Sequence, residues 1–86
     1  MEALILLALA QPPPPMSDAI VFVRLKAVEA WCDFKVPPVS IELAWRDMLY
    51  KYDPSTARLL AYDTAYWLDK NTPDKAAFCK EMLDGR

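Results

Sequence analysis

The sequence predicts an all-α protein: a small four-helix bundle-like domain preceded by a short apolar N-terminal arm and a polyproline linker. Three observations lead there. Outside the linker, prolines stand only at Pro37-Pro38, Pro54 and Pro73, between helix-forming runs. Proline is tolerated in a helix's first turn and breaks its interior. Apolar residues inside the runs recur at three- and four-residue spacing instead of alternating. The connections are only a few residues long, which favours antiparallel or sharply angled neighbours. The chain divides into an arm at 1–10, a proline-rich linker at 11–16 and a helical domain at 17–86.

The first helix is expected near 18–34. Ser17-Asp18 offers an N-cap pair, and Arg24-Leu-Lys-Ala-Val-Glu-Ala-Trp31 is built of helix formers. The run Ala19-Ile-Val-Phe-Val23 is strand-like in composition, but the lack of alternation after it decides for helix. Asp18, Lys26, Glu29 and Asp33 gather on one narrow strip. Ile20, Val23, Ala27, Ala30, Trp31 and Phe34 fall opposite, with Phe22, Leu25, Val28 and Cys32 flanking. A helix apolar over most of its circumference is covered from several sides, so this one is predicted to be central.

A second helix is expected near 40–52, with Ser40 as its N-cap and Ile41, Trp45, Met48, Leu49 and Tyr52 facing the core. A third, near 54–70, opens on Asp53-Pro54-Ser55, a cap followed by proline at the first helical position, and closes at Asn71. Its core stripe is Ala57, Leu60, Ala61, Thr64, Trp67 and Leu68. Thr72-Pro73-Asp74 starts a fourth near 73–84, carrying Ala76, Phe78, Cys79, Met82 and Leu83 inward. Gly85 is its natural C-terminal cap.

Composition narrows the function. The chain has 86 residues, 55% hydrophobic, with three tryptophans, four tyrosines and three phenylalanines, ample material for one core. Ten basic and twelve acidic residues leave a net charge of −2 and no basic stripe, which argues against direct nucleic-acid binding. Histidine is absent and the single glycine is Gly85. The usual general base, the commonest neutral metal ligand and every glycine-dependent phosphate loop are therefore missing. No catalysis, metal or cofactor is expected. Carboxylate pairs such as Asp47 with Asp53, or Asp63 with Asp69, read as solvated helix faces and caps. Cys32 and Cys79 lack zinc-ligand number and spacing. They read as small buried thiols in a reducing, cytoplasmic setting, with a disulfide left open.

The arm, Met1 to Ala10, carries one charge, Glu2. It lacks the basic flank of a secretory leader and is too short to cross a bilayer. It packs on its own domain, extends without a role, or enters a groove on a partner. In the last case Leu4, Ile5, Leu6, Leu7 and Leu9 are the anchors, with Pro12 to Pro15 as a stiff spacer. On the domain, Leu59, Tyr62 and Tyr66 form a stripe beside the third helix's core face, and Tyr50 with Leu43 forms one on the second. Both stripes are either buried in a compact bundle or free to touch a partner, with Arg46 and Arg58 as polar companions.

The function expected is a non-catalytic protein–protein interaction module. It would be a small subunit or assembly factor of a larger complex, or a stand-alone phage-type inhibitor of which an anti-CRISPR-like protein is one example. The partner is another protein in a hetero-complex, with a homo-oligomer as second choice. The alternative is a membrane-surface protein held through the arm, without a transmembrane segment.

Overall fold

Proline and aspartate set three of the four α-helix starts, and side-chain hydrogen bonds tie helix ends together. The computed structural model describes residues 11–84. Among them a 3-10 turn, Met16–Asp18, precedes four α-helices: α1 (Ile20–Trp31), α2 (Pro38–Leu49), α3 (Pro54–Lys70) and α4 (Lys75–Asp84). The described residues contain no strand. The arm at 1–10, with Leu4, Ile5, Leu6, Leu7 and Leu9, and the cap at Gly85 lie outside the described residues.

One helix follows the sequence closely at both its start and its end. Asp53 sits in extended conformation before Pro54, and its carboxylate accepts from the Thr56 backbone N–H at 3.3 Å and the Thr56 hydroxyl at 2.6 Å. This satisfies a donor that the helix leaves open. At the other end Asn71 is the C-cap, its N–H returning to Trp67 O at 3.0 Å.

Three starts differ. Ser40 is not the cap of α2: Pro37 is the cap and Pro38 the first helical residue, because proline's fixed φ suits that position and its missing N–H costs nothing there. In the fourth segment the cap moves from Thr72 to Asp74, which accepts from the Ala77 N–H at 3.0 Å, and the helix begins at Lys75. Ser17 and Asp18 do not cap α1, which starts after Ala19. Asp18 is engaged elsewhere, accepting from the Tyr52 hydroxyl at 2.6 Å and Lys51 Nζ at 3.1 Å.

Two ends come early as well. α1 stops at Trp31 because Asp33 takes φ +50°, a left-handed turn that terminates helices and that aspartate tolerates better than most residues. After Leu49, α2 gives way to a turn in which the Tyr52 N–H still reaches Met48 O at 3.0 Å.

The Asp18–Tyr52 and Asp18–Lys51 bonds place the start of α1 beside the start of α3. At the far end Lys75 lies over the Trp31 ring, 4.5 Å from its centroid, so α4 begins where α1 ends. α2 packs against α1 and α3, with Phe22 and Trp45 in ring contact at 5.2 Å. α1 is central, as expected: each of the other three helices packs against it. The core gathers Ile20, Val23, Ala27 and Val28 from α1, Met48 from α2, Ala57, Leu60 and Leu68 from α3, and Phe78 from α4. Thr64 is fully buried without penalty, since its hydroxyl donates to Leu60 O at 2.7 Å. Three residues expected to face inward do not: Ala30, Leu49 and Ala76 are exposed.

The reading of Cys32 and Cys79 as free thiols is overturned. Cys32 is the C-cap residue of α1 and Cys79 faces it from α4, with Cα atoms 5.5 Å apart and the sulfurs bonded. Their 47-residue separation hid a proximity that the packing of α4 against α1 creates.

Candidate functional site

α3 presents two faces to two different environments. Ala57, Leu60, Thr64 and Leu68 point into the core and are buried. Leu59, Tyr62 and Tyr66, at positions i, i+3 and i+7, fall within one narrow arc on another side. There they remain 65%, 73% and 67% exposed. The possibility that a compact bundle covers this stripe is excluded among the described residues. Lys70, one turn beyond Tyr66, places its ammonium 5.3 Å from that ring's centroid, leaving a cation at the end of the stripe.

The second stripe has the same character. Tyr50 is 82% exposed at the end of α2, and Leu43 stands out from the middle of that helix. Arg46 lies between them on the exposed surface, with Glu42 one turn back at 3.9 Å. A contact that long between two open side chains contributes little to stability, so Arg46 stays available to another molecule.

Between α1 and α3 runs a groove of about 480 Å³, open on one side. Phe22 and Trp45 wall one end and Trp31 the other, while Ala27, Ala30, Ala61 and Ala65 supply the floor and inner edges. The groove exists because alanines meet along this stretch of two touching helices: they allow close approach and leave the space above them unfilled by the described residues. Lys26 and Arg58 stand at its edge, and Tyr62 lines it as well, joining the groove to the α3 stripe. Sequence reasoning singled out Tyr62 and Arg58 but missed the groove. Its signal was the alanine spacing on both helices, legible only once their pairing is known.

The polar network lies elsewhere. The Tyr52 hydroxyl, and after it Lys51, holds the Asp18 carboxyl below the usual carboxylate range, and Asp18 in turn raises the Tyr52 phenol. Thr56 lowers Asp53 by the capping bonds. These shifts belong to structural contacts between helix ends. Among the described residues no group of three or more acidic, cysteine or histidine side chains is placed to hold a metal ion. None of the described helices is long and apolar enough to cross a membrane. No protein-family model, curated protein or solved structure matches the chain.

Proposed function

We propose that this chain is a non-catalytic protein-binding module whose contact surface is the outer face of α3, extended by Tyr50 and Arg46 of α2. The observation that carries this is the exposure of Leu59, Tyr62 and Tyr66 on one rigid helix face. Tyrosine buries a large ring at a small conformational cost and tolerates water at its hydroxyl. A row of such side chains on a regular element suits an interface anchor. The lack of histidine and of internal glycine supports a binding role over catalysis.

The partner is another protein, and the role is that of a small subunit, an assembly factor or a stand-alone inhibitor. The cytoplasmic setting expected from the sequence rested on free thiols. A Cys32–Cys79 disulfide instead favours an oxidising compartment.

Affinity capture from the native source, with mass spectrometry, tests the reading. Tyr62→Ala with Tyr66→Ala should release the captured partner while far-UV circular dichroism stays helical. Truncating anchors of this kind typically costs ~2 kcal/mol or more of binding. Capture that survives the double substitution contradicts the assignment of the α3 face.

A further inference from the structure

The α1–α3 groove differs in charge from the tyrosine face beside it, and that difference names a ligand. Its lining is apolar except at Lys26, Arg58 and the Tyr62 hydroxyl, and it contains no carboxylate. Lys26 and Arg58 are exposed, and neither makes an ion pair with another described residue. The chain as a whole carries a net charge of −2, whereas the groove's own lining carries two cations and no anion. That pattern is complementary to a molecule with an apolar body and one negative end.

We propose that the groove binds a single-chain fatty acid, its alkyl chain lying over the alanines and its carboxylate held by Lys26 and Arg58. Dimensions agree with this occupant. From Phe22 to Trp31 the helix rises ~14 Å. An extended alkyl chain with ~1.5 Å bonds advances ~1.3 Å per carbon, so about ten carbons span the trough. The volume of 480 Å³ falls in the range of small-molecule sites, roughly 300–1,000 Å³. Two of the walls are Trp31 and Trp45, so occupancy changes the protein's own fluorescence. This site shares Tyr62 with the proposed protein interface, but Leu59 and Tyr66 do not line it, and the charge-reversed variant below keeps Tyr62 in place, so either assignment can fail alone.

The test titrates the full chain, stripped of lipid, with decanoate below its micelle concentration while tryptophan emission is followed. Decylamine and decanol serve as comparators of equal chain length. Saturable binding of decanoate is expected, with the amine and the alcohol at least tenfold weaker. Each added methylene should tighten the carboxylate by up to about fourfold until the chain reaches ten carbons or so, and little thereafter. Lys26→Glu with Arg58→Glu should weaken decanoate tenfold or more and leave the alcohol's affinity unchanged, which shows the trough itself intact. Absence of a saturable response overturns the proposal, as does equal binding of the amine or undiminished decanoate binding in the charge-reversed variant. Saturation seen only in Leu6→Asp would also overturn it, by assigning the groove to the arm of the same chain.

Discussion

The two flanks of α1 are built from side chains of different size, and they finish differently. Towards α4, Trp31 meets Phe78 edge to face at 5.2 Å, and Cys32 is joined to Cys79. Lys75 closes the same corner by lying over Trp31 while donating to Thr72 O at 2.6 Å and pairing with Asp69 at 3.0 Å. Towards α3, Ala27 and Ala30 share a surface with Ala61 and Ala65, and the space above them stays open. Both flanks are apolar. Bulk decides which one is sealed, because close packing needs volume as well as hydrophobicity. The sealed flank adds a covalent tie at one corner; towards α3 the helices share the core through Val23, Ala27, Leu60 and Leu68, and the groove above is where another molecule can add apolar contact.

The comparison breaks if the sealed flank proves dispensable. Phe78 is 1% exposed, and Phe78→Ala should cost roughly 3–5 kcal/mol. Thermal circular dichroism should then show a Tm at least ~12 °C lower. Reduction of the Cys32–Cys79 bond releases a 47-residue separation, worth up to about 4 kcal/mol by chain entropy. The Tm in reductant should fall clearly below that in its absence; an unchanged value would remove the disulfide from the sealing of this flank.

Smaller effects sharpen the picture at the helix starts. Asp53→Ala removes the α3 cap and should lower the Tm by a few degrees, with Asp53→Asn recovering part of it. Asp18 ties the start of α1 to that of α3, and Tyr52 and Lys51 depress its pKa in the folded state. A depressed carboxylate adds stability that is present above its ordinary value and lost as pH falls through the folded one. Denaturant midpoints should therefore decline on acidification below about pH 4. In Asp18→Asn the midpoint should be lower at neutral pH and that acid decline shallower. An identical acid slope in both proteins would show that Asp18 does not set it.

The sequence was most legible where one residue governs its own neighbourhood. Pro54 behind Asp53 marks the start of α3, and the apolar circumference of α1 marks it as central. Asp18 misled because an N-cap reading assumes the carboxylate has no better partner, and Tyr52 supplies one from 34 residues away. Ser40 misled because proline outcompetes serine for the start of α2. Helical periodicity placed Leu59, Tyr62 and Tyr66 on one face, but left open whether that face is covered. Whether a stripe is buried depends on elements distant in the chain. The same holds for the disulfide and for the groove, both made by pairings that no local pattern encodes.

The openness of the α1–α3 flank is tested most directly by the melting temperature of Ala65→Leu. Ala65 lines the groove and is exposed, so three added carbons enter empty space. The Tm should stay within ~4 °C of the parent, where overpacking a filled core costs about 1–3 kcal/mol. A fall comparable to that of Phe78→Ala would show this flank to be as tightly closed as the other.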